Sequence, residues 1–358
     1  MRHRENRVAE LSPVSAKAGS RPWHSFLKGV LRKSHSLDLV SRATARDRVE
    51  ILLYHGFCPG SIPDPRFPGL MPIQQFEDHI RTWMRYLPPM SLHQLLEPGA
   101  RGVGITFDDG YANNFELAFP VLEKYQIPAT VFLTTGFLDQ STPMWGRWLE
   151  FLVATAPARD SIFEWRDSQI PLSLTTPVRR REAVSGLNRR LRLLAIDEIH
   201  EFLGALEQHL QVRYCWDEVP SLLRPLAWDE VRTMRRSGLI TFGCHTVSHP
   251  VLSRCTPEVQ TFEIVESKRR VEQELGEECK TFAYPYGKHS DYTEATSQIA
   301  RGAGFDLVLT AKSGSTRPST CDPYELPRWG ADLGVNELSF LIAGGPKFFG
   351  DLKEQGWR

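Results

Sequence analysis

Apolar residues along this 358-residue chain follow two different periods. Short runs dense in β-branched and aromatic side chains occur at Arg48–Tyr54, Val103–Phe107, Ala129–Thr135, Leu239–Phe242, Thr281–Ala283 and Phe305–Thr310. Each is too short for a helix and reads as a buried strand. Between them the period changes to that of a helix. Phe76, Ile80, Trp83 and Leu87 share one face of the segment Ile73–Leu87, and Phe119–Tyr125 and Pro225–Arg236 read likewise, the last closed by Gly238. Thr256-Pro257-Glu258 is a helix start with proline in the first turn, and Gly276 is its stop. Alternating strands and helices predict an α/β domain of parallel strands with helical crossovers. Periodicity alone does not separate a closed barrel from an open sheet.

Two stretches stand outside this alternation. Residues 1–48 are polar and basic, and within them Trp23, Phe26, Leu27, Val30 and Leu31 fall on one helical face with Lys28, Arg32 and Lys33 between them. Such a basic amphipathic helix either docks on the main domain or lies on a membrane surface or partner. Residues 140–224 exceed what the alternation needs. They predict a helical insertion, with Trp145, Trp148 and Phe151 at helical spacing and a stripe of Ile199, Phe202, Leu203, Leu206 and Leu210. Its arginines (Arg179, Arg180, Arg181, Arg189, Arg190, Arg192) are either a solvated face or part of a lid over an anionic or lipid-linked glycan.

Formal net charge is zero, so no global field points to nucleic acid as a partner. No run of about 20 apolar residues is present to span a bilayer. The basic N-terminus lacks the apolar core of a secretory signal, so the expected location is the cytoplasm, with peripheral membrane contact through residues 23–33. Six scattered cysteines without framework spacing are expected to be reduced thiols. Cys244, beside His245, is a further ligand candidate, although an extended backbone there would turn its side chain away.

The chemistry sits in three short segments. Asp108 and Asp109 end the strand Ile105-Thr106-Phe107 and are followed by Gly110; adjacent carboxylates repel unless a cation lies between them or one holds a proton. His245 and His249 are spaced so that one helical turn would aim both imidazoles at a single point. One carboxylate with two imidazoles is a divalent-metal ligand set that leaves positions open for water and substrate, as hydrolysis requires. Successive strand residues face opposite ways, so both aspartates can serve one site only if the chain turns at Gly110.

The third segment is Thr281-Phe282-Ala283-Tyr284-Pro285-Tyr286-Gly287. The order TFDDGY, HTVSH, FAYPYG resembles the polysaccharide deacetylase family (the NodB homology domain of carbohydrate esterases), from about Val49 to Gly330. The resemblance implies an irregular (β/α) barrel over 49–335, the 140–224 insertion within it and a C-terminal extension at 336–358. It implies that Asp109, His245 and His249 hold a divalent metal, zinc being the expectation, and that Asp108 is the catalytic base. The backbone N–H of Tyr286 would stabilise the oxyanion, with Tyr284, Tyr286 and Arg328 on the substrate side.

This chain departs from the family pattern in two places. Ala283 stands where many members carry an arginine that orients the base, and Arg328 is the nearest downstream cation that could replace it. The C-terminal Leu-x-x-His is absent, which leaves His55, at the end of the first strand, as the preferred acid for the leaving amine. His289 and a proton returned by Asp108 are the other routes. The implied reaction is metal-dependent removal of an N-acetyl group from an acetamido sugar of a glycan or polysaccharide. Hydrolysis of another linear or cyclic amide, or glycan binding without turnover, are the competing readings.

Overall fold

The computed structural model describes residues 48–62, 69–97, 99–330 and 333–345; the amphipathic segment at Trp23–Lys33 lies outside them. Seven strands form one curled parallel sheet: β1 (Arg48–Tyr54), β4 (Arg101–Phe107), β5 (Ala129–Leu133), β8 (Ile240–Cys244), β9 (Thr281–Ala283), β10 (Leu307–Leu309) and β11 (Trp329–Gly330). Their order across the sheet is β10-β9-β8-β5-β4-β1-β11. A two-residue pair, β2 (Phe57–Cys58) with β3 (Met71–Pro72), lies apart from it. The segment before β11 joins the two edges. Leu326 bridges to Leu309 on one side, while Trp329 and Gly330 pair with Leu52 and Leu53 on the other. The result is the irregular (β/α) barrel that the resemblance implied, built from the α/β alternation that the periodicity predicted.

Side-chain parity sorts each strand into two layers. Val103, Ile105 and Phe107 of β4 face outward with Val131 of β5 and Phe242 of β8, against the helices α1 (Ile73–Trp83), α2 (Phe119–Tyr125), α7 (Trp228–Arg236) and α8 (Pro257–Leu275). The alternate positions face the barrel interior, where Val49, Ile51, Phe132, Ala283 and Leu309 pack together. In β4 that inward register is Gly102, Gly104, Thr106, and its continuation is Asp108. The predicted caps hold: Thr256 Oγ1 accepts from the Val259 N–H at 3.4 Å, and Gly276 ends α8 at φ +67°. The C-terminal extension begins as α10 (Val335–Ile342), whose Leu338, Leu341 and Ile342 join the outer core beside α1.

The insertion has its own core. The helices α4 (Trp145–Thr155), α5 (Pro177–Leu191) and α6 (Ile196–Leu210) bury Leu149, Leu152, Leu187, Ile199, Phe202 and Leu206 among themselves. It is not wholly helical. An antiparallel hairpin, β6 (Asp160–Trp165) and β7 (Ser168–Ser173), packs Phe163, Ile170 and Leu172 into the same core. Its turn places Arg166 at φ +50°, without the glycine or asparagine that usually marks such turns. Among the described residues no helix is long and apolar enough to cross a membrane. All six cysteines are free, as their spacing implied.

Gly243 faces the interior, where a methyl group would stand 2.5 Å from Phe132 ring carbons and from Thr281 Oγ1. Gly243→Ala should therefore cost about 1–3 kcal/mol of stability by overpacking. Urea unfolding checks this, and an unchanged midpoint would mean that the barrel has slack at this level.

Candidate active site

Asp108 ends β4 in the inward register, and beyond it Asp109 takes φ +77° and Gly110 φ +85°. Two successive left-handed residues reverse the chain, so Asp109 swings back beside its neighbour. The turn therefore begins one residue earlier than Gly110, at a non-glycine position, a strained conformation that persists only where surroundings enforce it. Both carboxylates are buried, at 3% and 6% exposure.

The histidine segment leaves β8 at His245, whose N–H donates to Leu133 O at 2.9 Å. It does not form a helical turn. Thr246 at φ +68° and His249 at φ +59° fold it back, and the His249 N–H donates to Thr246 Oγ1 at 3.1 Å. Glu263, buried on α8, secures the loop from outside. Its carboxylate accepts from the N–H groups of Val247 and Ser248 at 2.8 and 2.9 Å, and from the Ser248 hydroxyl. Nothing in the local sequence marks Glu263; it sits in a helix with many other acidic residues.

The ligand atoms of Asp109, His245 and His249 all lie within 4.8 Å of one another. Nε2 of His249 is 3.4 Å, and Nε2 of His245 3.7 Å, from Asp109 Oδ1. Ligands of a tetrahedral ion with bonds of ~2.1 Å stand roughly 3.4 Å apart, so the spacing fits. The chemistry fits as well. Asp109 Oδ1 is buried without a hydrogen-bond partner among the described residues. Nδ1 of His245 donates to Ala283 O at 2.7 Å, which fixes the ring with Nε2 on the side of that oxygen. Burial pushes His249 down to about 4, so at neutral pH its ring is the uncharged form that can ligate. A buried carboxylate oxygen without a partner, facing two imidazole nitrogens, is a donor set that a cation would complete. Cys244 takes no part: it points outward, with its Sγ 3.3 Å from Cys279 Sγ.

Asp108 stands beside this cluster with a partner of its own. Arg328 Nη1 and Nη2 donate to its two oxygens at 2.7 and 2.8 Å. The guanidinium is in turn fixed by Thr310 O at 2.8 Å and Thr106 Oγ1 at 3.2 Å. Burial is the largest single influence and raises the Asp108 pKa, but the Arg328 charge, the nearby histidines and the Arg328 hydrogen bonds together outweigh it and hold the carboxyl at about 2, below an ordinary 3.8. Arg328 thus sits where the downstream cation was expected, paired with both oxygens of Asp108. As a substrate contact it is corrected, because its side chain has no exposed surface.

The remaining expected residues divide. Tyr286 is on the metal side, its ring 4.8 Å from that of His249. Its φ is +60°, and among the described residues its N–H has no acceptor. Tyr284 is only 1% exposed, with one face covered by a parallel stack on Tyr292 at 4.0 Å, so it packs beneath the loop instead of lining the mouth. Strand parity could have shown this, since Ala283 faces the interior and Tyr284, the next residue, lies with Phe282 in the outer core. His55 is exposed at the rim and close enough to act electrostatically on both Asp108 and His249. His289 is exposed on the loop beyond Gly287.

Comparison with known proteins identifies the family and the fold. The sequence model of the polysaccharide deacetylase family matches residues 96–308, more than half of the chain. YxkH of Bacillus subtilis (strain 168), provisionally named a polysaccharide deacetylase, is 22% identical over 277 residues, which is 75% of this chain and 66% of that protein. The chain thus spans just under two thirds of that relative. Among solved structures, the Streptococcus pyogenes deacetylase PplD, in complex with acetate, superposes with a TM-score of 0.52 at 18% identity, covering 81% of this chain and 96% of that one. IcaB from Ammonifex degensii gives 0.52 at 19% identity, with 83% and 96% covered. At these identities the structures establish the shared fold.

Replacing Arg328 by Ala leaves a buried carboxylate without its counter-ion, and metal-free protein should lose about 3–5 kcal/mol of unfolding free energy at pH 7. Because Asp108 sits near 2 when folded and 3.8 ordinarily, its pairing stabilises above pH ~4 and is lost as pH falls through 2. The deficit of Arg328→Ala should shrink across that window in denaturant titrations. A deficit constant with pH would mean that Arg328 acts by packing alone.

Proposed function

The chain belongs to the polysaccharide deacetylase family, and on that premise we propose that it hydrolyses the N-acetyl group of an acetamido sugar in a glycan, with a divalent metal, zinc, held by Asp109, His245 and His249. The observation that carries this reading is the convergence of those three ligand atoms beside a separate carboxylate that stays ionised under its own arginine. When bound, the ion supplies positive charge that polarises the amide carbonyl and acidifies the attacking water.

The protein's own groups then have distinct tasks. Asp108 takes the proton of the water as its oxygen adds to the acetamide carbon. Arg328 holds both carboxylate oxygens in one plane, so the base meets the water in a fixed orientation at no reorganisation cost. The Tyr286 N–H, free of other acceptors, donates to the oxyanion that forms; one such donor is typically worth ~3 kcal/mol in the transition state. The C–N bond breaks as the sugar amine gains a proton, and acetate leaves. His55 at the open rim is the group we assign to deliver that proton, since it is exposed and lies near both Asp108 and His249.

Acetate release across a panel of N-acetylated glycans, with zinc and other divalent ions added back to metal-free protein, tests the activity. Asp108→Asn should keep bound metal through dialysis yet lose turnover by ~10²-fold or more, because its amide cannot accept the water's proton. Asp109→Ala, His245→Ala and His249→Ala should lose the metal itself. Release of formate instead of acetate would shift the substrate to another amide, and equal metal content in all variants would dismiss the site.

His55→Ala should lower kcat by ~10²-fold and remove the alkaline limb of the pH–rate profile if His55 protonates the leaving amine. An unchanged profile would return that task to Asp108 or to His289.

A further inference from the structure

The insertion contributes more to the site than bulk. Between α4, α5 and the returning segment Tyr214–Leu223 it encloses a cavity of about 730 Å³, within the ordinary range for a small-molecule site. Its inner end abuts the reaction centre from two sides. Arg147 donates to the Tyr111 hydroxyl at 2.8 Å, just beyond the aspartate pair. Arg192, at the C-terminus of α5, lies 4.3 Å over the ring of Tyr286, which itself touches His249. From there the cavity follows α5 outward, away from the barrel.

The lining has two chemistries. Phe151, Val184, Tyr214, Val219 and Leu223 supply an apolar floor, while five arginines and two glutamates (Glu150 and Glu218) provide the charge. Three of the arginines are engaged. Arg147 pairs with Glu150 at 2.6 Å, Arg180 donates to Ala156 O at 2.7 Å, and Arg192 reaches Asp291 at 3.5 Å. Arg181 and Arg189 have no hydrogen-bond or ion-pair partner among the described residues, and both sit on the exposed side of α5 at the cavity wall. They are eight residues apart, two helical turns or ~12 Å, on the same face.

A neutral oligosaccharide would leave two guanidinium groups without an anion and lay its hydroxyls over an apolar floor. A hydrocarbon chain carrying a phosphate answers both, since the chain matches the floor and the phosphate matches the planar donor fork of an arginine. We propose that this cavity binds a phosphate-bearing hydrocarbon chain, the lipid carrier on which the acetamido sugar is presented to Asp108 and the metal. The carrier role rests on the deacetylase reading above; the binding site does not. It gives the loose arginines of α5 a task and makes the insertion a substrate-selecting wall.

Farnesyl phosphate, farnesol and inorganic phosphate are suitable probes, titrated calorimetrically into the full-length, zinc-loaded protein. Farnesyl phosphate should bind about tenfold or more tightly than either part alone, and Arg181→Ala/Arg189→Ala should weaken it by about tenfold while the melting temperature stays unchanged. Equal binding by this double variant would place the phosphate at the catalytic centre and overturn the proposal, as would equal affinity for farnesol. Arginine-dependent binding in a protein that releases no acetate from any glycan supports the cavity and removes only the deacetylase reading. For the carrier role, KM for an N-acetylglucosaminyl farnesyl phosphate should lie at least tenfold below that for the free sugar; equal values would sink that part.

Discussion

A buried carboxylate clamped by a buried guanidinium is the constraint on which the rest of this structure turns. Asp108 and Arg328 are 220 residues apart, yet they meet inside the barrel through two parallel hydrogen bonds. Neither charge could be buried alone, because an unpaired ion in such surroundings costs several kcal/mol. The last stretch of the sheet must therefore come back to lie between the two edges, with Leu326 bridged to β10 and Trp329 paired with β1. Barrel closure and the ionisation of Asp108 are one event. Glycines at 102 and 104 keep the inward register of β4 narrow below the pair, while Thr106 contributes an acceptor to it.

The site itself is built from backbone that ordinary residues avoid. Asp109, Thr246, His249 and Tyr286 all have positive φ. Such conformations are unfavourable individually and survive where surrounding bonds over-determine them. Here those bonds are visible. Glu263 accepts from successive N–H groups of the histidine loop, Ala283 O fixes the ring of His245, and Thr135 and Gly136 donate to Thr246 O and Val247 O at 3.1 and 2.9 Å. Strain is thus spent on direction: each left-handed residue turns a side chain or an N–H toward a common point. The acidic residue that anchors one loop, Glu263, is not among the reacting groups and matters through what it holds.

The insertion carries a second core beside the first, and the two meet at the site. Tyr286 belongs to the metal side by its contact with His249 and to the insertion by its packing on Trp145 and Arg192. Tyr111 likewise joins the aspartate loop to Arg147. Binding along the insertion would be felt at these two aromatic contacts, which border the metal ligands. Arg180, which looked like one more solvated charge on α5, turns inward to the carbonyls that end α4 and so helps to fix the wall.

Much of this was legible in the chain. Alternation of short apolar runs with helical periods determined the α/β class, because a strand that is buried on both sides has to be apolar throughout. The cluster of Asp109, His245 and His249, which could hold a metal ion, was legible as well, since few residue types bind a divalent ion and their placement at strand ends is itself a local signal. The positions of Tyr284 and Cys244 follow from parity once a strand is assigned. Three things were decided only by tertiary structure. Arg328 became the partner of Asp108 through a sheet that closes, and no local pattern encodes which arginine fills an interior. The histidines converge by left-handed turns that need Glu263 from a distant helix, where a helical turn was the simplest local solution. The hairpin at 160–173 formed because the insertion core could bury Phe163, Ile170 and Leu172; its own turn carries no glycine to announce it. Local sequence specifies which chemistry is available, and long-range packing decides which groups face each other.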